Sequence, residues 1–301
     1  MQSAPADFQD SVESTLCAGL ARGDGVLGGV GAVLRHMLVA DDQDYFADDI
    51  LATLRGMIAD VARQLAGERG HGEALLPALL EVPGLIACAH ALAVEGQLTR
   101  RLRETQGLDP VLSPLLQALI ASPSAEVAAL AMQVLAAQAR FMQQQRRMQW
   151  PLMELPAELL HGALHVLHGD GMVAGDRALR LRDGYDEGAT RSSLLARLTA
   201  QMGPGSLAAL ELAHAGVALF ATALAGAGEQ SRDQALLSML SRHAERLALG
   251  LRAGGLPVGG VEAVLLQLHP GMAPIAGLGR LDPERALRLL RHPAPFSGEV
   301  D

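Results

Sequence analysis

The chain contains no lysine and no asparagine: all 24 of its basic Lys+Arg positions are arginine. A GC-rich genome accounts for the bias, and it has chemical consequences whatever its origin. Without lysine there is no P-loop lysine and no lysine Schiff base, and without asparagine no N-glycosylation acceptor. Aromatic residues make up only 3% of the chain, with a single tryptophan. Stacking platforms for nucleobases are therefore scarce, and the core must be built from Leu, Ala and Val, which suit close helix–helix packing. The two cysteines, Cys17 and Cys88, are far apart and sit within apolar helical patterns, where each behaves as a small buried hydrophobe. No basic segment followed by an apolar run is found in the opening residues MQSAPADFQD, so no secretion signal is read there. The most apolar stretch, 215–228, is too short to cross a bilayer. A cytoplasmic protein without membrane insertion is expected.

What is present is helical periodicity. Half of the 301 residues are hydrophobic, and alternating strand patterns are almost absent. The spacing predicts helices near 9–21, 26–39, 43–66, 73–81, 84–105, 110–121, 124–148, 155–168, 190–202, 205–225, 231–253, 257–268 and 282–291. Gly and Pro punctuate them, as at Gly67, Pro83-Gly84, Gly107, Pro123, Pro151 and Gly254-Gly255. The expected organisation is a disordered end at 1–8, a helical repeat region at 9–168, an irregular charged linker at 169–189, a helical subdomain at 190–291 and a disordered tail at 292–301. The fold class is all-α: an irregular array of short helices or an α-solenoid.

Residues 111–139 carry the clearest unit. Leu112, Leu115, Leu116 and Leu119 recur at helical spacing, with Pro114 in the first turn, where its missing N–H costs nothing. Ser122-Pro123-Ser124 breaks the pattern and supplies a cap for a second helix, with Glu126 near its start and Val127, Leu130, Ala131, Val134, Leu135 and Gln138 along one stripe. Such a pair cannot bury its own apolar face and needs stacked neighbours. In Pro114, Leu115, Leu116, Leu119, Ser122, Val127, Ala131 and Leu135 the segment resembles a HEAT or armadillo-type repeat, although Ala128 stands where many such repeats carry arginine. The resemblance implies an α-solenoid that exposes surface for partners. Farther on, Phe220 and the corner Ala253-Gly254-Gly255-Leu256-Pro257 resemble a bacterial all-helical family of unknown function, which brings no catalytic motif.

The segment 140–150, RFMQQQRRMQW, continues the second helix of that unit. Arg140, Arg146, Arg147 and Trp150 form a candidate protein-binding surface, since Met, Arg and Trp are enriched at interfaces. Helix capping by arginine and core filling by the tryptophan account for the same residues. The net charge of −9 argues against general binding to nucleic acid or anionic membrane. The partner expected is another protein, with homo-oligomerisation open, and no cofactor is called for.

The competing reading is a metalloenzyme. Glu158 with His161, and Glu211 with His214, stand three apart on predicted helices, the arrangement used twice in carboxylate-bridged di-iron bundles. Glu95 and Glu126 are available as the further carboxylates, and Glu68 with His71 repeats the spacing in a glycine-rich corner. His161, His165 and His168 share one helix face, a possible zinc chelate. Gly23, Gly25 and Gly28 have dinucleotide-fingerprint spacing but follow a helical pattern rather than a strand, so an interhelical corner is expected. The acidic run at 41–49 lacks an EF-hand's glycine and terminal glutamate and reads as a capped helix start. Gly205-Ser206 offers no nucleophile elbow. The arginines at 177, 180 and 182 read as a solvated face.

Overall fold

Leucine and alanine at helical spacing give this chain helices and nothing else. The computed structural model describes residues 13–24, 48–67, 72–167, 172–240 and 243–291, and among them there is no strand. The calls made for 1–8, 26–39, 41–47 and 292–301 lie outside the described residues. The chain divides into two compact units, Val30–Gln201 and the pair of segments Met1–Gly29 with Met202–Asp301. Helix α1 covers 13–24 and belongs to the second of these.

In the unit Val30–Gln201 the helices are α2 (Asp48–Ala66), α3 (Leu76–Leu80), α4 (Leu85–Gln106), α5 (Pro114–Ile120), α6 (Ala125–Arg146), α7 (Ala157–Leu167), α8 (Met172–Asp183) and α9 (Arg191–Gln201). Its core joins Leu54, Met57, Val61 and Leu65 of α2 to Leu85 and Ala89 of α4, and to Trp150, Leu155 and Ala163. α4 is buried on most of its circumference, which is why His90, Glu95 and Thr99 are enclosed along with its leucines. It ends at Gly107, whose φ of 70° lets its N–H reach the carbonyl of Arg103, a C-terminal cap that only glycine makes without strain.

The α5–α6 pair forms as its sequence predicts. The Ser113 hydroxyl accepts from the Leu116 N–H at 3.2 Å, Pro114 takes the first turn, and the Ser124 hydroxyl accepts from the Val127 N–H at 3.5 Å. Of the predicted stripe, Leu130, Ala131, Val134 and Gln138 are buried, and Val127 and Leu135 are partly buried. α6 packs on α5 and α9 and touches α4. At its end Met148 adopts a left-handed φ of 52° and Gln149 donates to the Gln144 carbonyl at 2.9 Å, turning the chain toward Trp150. Asp60 and Gln64 of α2 hold that corner: the Trp150 N–H donates to Asp60 Oδ2 at 2.9 Å, and Gln64 bonds both the Trp150 carbonyl and the Leu152 N–H at 3.0 Å.

Within 169–189, expected as an irregular linker, α8 occupies the middle; Ala178 is in the core and Arg177 caps α2, donating to the carbonyls of Leu65 at 2.8 Å and Gln64 at 2.6 Å. The two units divide at Gly29/Val30 and at Gln201/Met202.

The other unit contains α10 (Leu212–Ala227), α11 (Arg232–Ser238), α12 (Ala244–Ala253), α13 (Val258–Leu268) and α14 (Pro283–Arg291). The single helix predicted for 205–225 is broken: Gly203–Leu210 is a 3-10 turn, Glu211 is extended, and Gly216 leaves the helical region at φ 69°, ψ 166°. α12 packs against α10, α13 and α14 and buries Leu247, Ala248, Leu249 and Leu251. Its Arg246 forks onto both carboxylate oxygens of Asp24 at 2.7 Å and takes Gln230 Oε1 at 3.1 Å, which fastens α1 to the C-terminal helices.

Candidate functional site

Between α4 and α6 a groove of about 300 Å³ is lined by Gly96, Arg100, Arg103, Glu104, Pro110, Met142, Gln145 and Arg146. The local sequence accounts for its shape. Gly96 is the point of close approach: a Cβ there would lie 2.6 Å from Gln145 Oε1, so glycine lets the Gln145 side chain settle against α4. Pro110, beyond the end of α4, accepts a hydrogen bond from Gln138 Nε2 at 3.0 Å, which closes the groove at that side. Met142 is buried and gives an apolar floor. Arg100, Arg103 and Arg146 are exposed around it, and none of the three forms an ion pair with a described carboxylate. Three guanidinium groups beside one carboxylate, Glu104, make a local cationic spot on an acidic protein.

Behind this groove the packing is locked by a buried polar knot. Arg191 of α9 donates to Glu95 Oε1 at 2.9 Å and Oε2 at 2.6 Å, and to Gln138 Oε1 at 2.8 Å, while its guanidinium lies 3.6 Å from the centroid of Phe141. Glu95 is 0% exposed and Arg191 4%. A charge pair taken this far from water needs every acceptor and donor satisfied, and this one ties α4, α6 and α9 together. The role is structural, because neither group reaches a surface. Tyr185 contributes a similar tether, its hydroxyl donating to the Leu155 carbonyl at 2.7 Å. Burial, helped by the charges of Glu187, Glu154, Asp186 and Glu158, pushes that phenol up to about 12.

The structure separates the candidates proposed from sequence. Arg146 lines the groove, while Arg140 and Arg147 are exposed elsewhere on the end of α6. Trp150 is corrected to a core residue: it is 3% exposed and packs with α2, so it adds nothing to a surface. Glu158 and His161 do share α7, but Glu211 precedes α10 in an extended conformation, so Glu211 and His214 do not form a helical pair. The two pairs fall in different units. Of the further carboxylates, Glu95 is engaged by Arg191 and Glu126 is exposed in the first turn of α6. Among the described residues no three His, Cys, Asp or Glu side chains are grouped to hold a metal ion. Glu68, His71, His168, Gly25 and Gly28 lie outside the described residues. Arg100 and Arg103 were missed, although their spacing of three on a predicted helix marks a shared face.

No family model, curated protein or solved structure matches the chain. Among the described residues no single helix is long and apolar enough to cross a membrane.

Proposed function

We propose that this chain is a non-enzymatic, HEAT-like protein-binding protein of the bacterial cytoplasm, and that the α4–α6 groove takes an acidic segment of its partner. One observation carries this: Arg100, Arg103 and Arg146 surround an apolar-floored groove and form no ion pair with a described carboxylate. Guanidinium forks match carboxylates in plane and in spacing, and Met142 and Pro110 give the segment's apolar atoms a surface to cover. A nucleic acid fits less well, since the chain, only 3% aromatic, offers few platforms for base stacking.

The test uses a fluorescent poly-glutamate decapeptide and anisotropy at low salt. The full chain should bind it, and the triple variant Arg100→Ala/Arg103→Ala/Arg146→Ala should lose that binding. The double variant Arg140→Ala/Arg147→Ala, which removes positive charge outside the groove, should retain most of it. Equal retention by the triple variant would sink the assignment. Binding should also weaken as salt rises, because exposed pairs are screened beyond a Debye length of about 10 Å at 0.1 M.

A further inference from the structure

Two histidines on α7 aim their ring nitrogens at one another. His161 and His165 stand one turn apart on the exposed side of the helix, with Nε2 to Nε2 at 3.0 Å. Their rings are nearly perpendicular, with centroids 4.5 Å apart. Water can satisfy both imidazoles, so exposure by itself does not require this pairing. Without a metal the contact is an N–H···N hydrogen bond between neutral rings, and the same separation is that of two ligands sharing an ion. Nitrogens 3.0 Å apart subtend about 94° at an ion bonded to each at about 2.05 Å. That is the cis edge of a square-planar or octahedral sphere, whereas a tetrahedral ion needs the nitrogens roughly 3.3 Å apart.

The surroundings suit a cation. His165 lies in the last turn of α7, at the negative end of the helix dipole. Glu158 precedes His161 by three residues and adds a carboxylate one turn away on the same helix. A concavity of about 180 Å³ opens beside the two rings toward α8, lined by Leu164, Ala178, Leu179 and Arg182, and gives room for an ion with its waters. Arg182 opposes a cation there; it is exposed and lies 3.9 Å from Asp183.

We propose that His161 and His165 form a two-imidazole chelate for a divalent transition ion of tetragonal preference, nickel(II) or copper(II), with water completing its coordination. Imidazole suits such ions, and the site keeps open positions because the described residues supply two ligands. It is independent of the arginine groove, which is built on other helices.

The experiment titrates the untagged full chain with nickel(II), copper(II) and zinc(II) chlorides by calorimetry at neutral pH. One equivalent of nickel should bind more tightly than zinc. His161→Ala and His165→Ala should each weaken that equivalent at least about tenfold, because losing one arm of a chelate forfeits its effective concentration. Arg182→Ser should strengthen it. In the copper(II) spin-resonance spectrum, splitting from two imidazole nitrogens should fall to one in either variant. Both histidines are exposed, so circular dichroism should show unchanged helicity. Tighter binding of zinc than nickel, indifference to both histidine variants, or no stoichiometric uptake would each overturn the assignment.

Discussion

Replacing Arg191 by leucine strands the Glu95 carboxylate in a site with no access to water. The carboxylate is 0% exposed and both its oxygens are occupied by the guanidinium, at 2.9 and 2.6 Å. Breaking a buried pair from one side costs about 3–5 kcal/mol, most of it the penalty of the charge left behind. Against a typical domain stability of about 5–15 kcal/mol, that is enough to leave the Val30–Gln201 unit marginal. Glu95→Gln is milder, about 1–3 kcal/mol, because Arg191 keeps a neutral acceptor, Gln138 and the face of Phe141. Removing both charges, Glu95→Leu/Arg191→Leu, leaves the Gln138 oxygen without its Arg191 donor but no buried charge unpaired, and should cost about 1–2 kcal/mol. The double variant is therefore expected to be more stable than Arg191→Leu alone. Urea unfolding followed by the fluorescence of Trp150, which sits in the same unit, reads all four proteins without requiring the whole chain to be two-state. If Arg191→Leu unfolds within about 1 kcal/mol of the parent, or the double variant is no more stable than Arg191→Leu, the pair is not desolvated as described.

Three further outcomes follow from buried groups. Burial holds the His90 imidazole below its ordinary 6.5, so the unfolded chain takes up a proton near that pH which the folded chain refuses. Stability is then complete above pH 6.5 and falls as acid is added, by up to about 1.4 kcal/mol per pH unit until the folded-state value is reached. His90→Leu should flatten this part of the profile, and an unchanged difference in urea midpoint between about pH 7.5 and about pH 5.5 would refute it. Trp150 is 3% exposed, so its emission should be blue-shifted and resist acrylamide until the unit unfolds. Its Nε1 has no hydrogen-bond partner, so Trp150→Phe should cost under about 1.5 kcal/mol and Trp150→Ala about 3–5. Gly56→Ala would place a Cβ 2.5 Å from Met148 Cβ, at a corner that cannot easily move. The overlap should outweigh alanine's better helix propensity, for a net loss of about 1–2 kcal/mol measured in the same unfolding assay.

Local features were legible because local physics makes them. The limits of α4, α6, α9 and α13 are readable within a few residues from apolar spacing and the Gly, Pro and Ser at their ends, as the caps at Ser113 and Ser124 demonstrate. α8 was hidden because Gly175 dilutes its propensity and its charged residues dominate; its stability comes from docking Ala178 in the core and Arg177 on α2. The break at Glu211 and Gly216 was hidden for the opposite reason: the apolar pattern runs straight through it. Pairing across the chain left no local trace at all. Glu95 with Arg191, and Asp24 with Arg246, are 96 and 222 residues apart, and each member looks like an ordinary surface residue of its own helix. Glu95 reads from sequence as an available carboxylate, and only its distant partner Arg191 shows it to be engaged.

A chain that carries all its basic side chains as arginine makes two populations of them distinguishable by what surrounds each fork. Arg191, Arg246 and Arg177 each engage two or more acceptors contributed by other elements. Arg100, Arg103 and Arg146 engage none of the described carboxylates and face the groove. Substitution by lysine should therefore separate structure from recognition. In Arg191→Lys a single ammonium replaces a fork that met two Glu95 oxygens and Gln138 while lying over Phe141, so one carboxylate oxygen and the amide are left unanswered at about 1–3 kcal/mol for each group. In Arg100→Lys/Arg103→Lys/Arg146→Lys the fold has nothing to lose, and stability should stay within about 0.5 kcal/mol of the parent. Poly-glutamate binding by that triple variant should fall only part of the way, since charge is kept and the planar match to carboxylate is lost. Unfolding midpoints and anisotropy measured on the same two proteins decide the matter: a destabilised groove variant, or an Arg191→Lys protein as stable as the parent, would mean that the forks had been assigned to the wrong tasks.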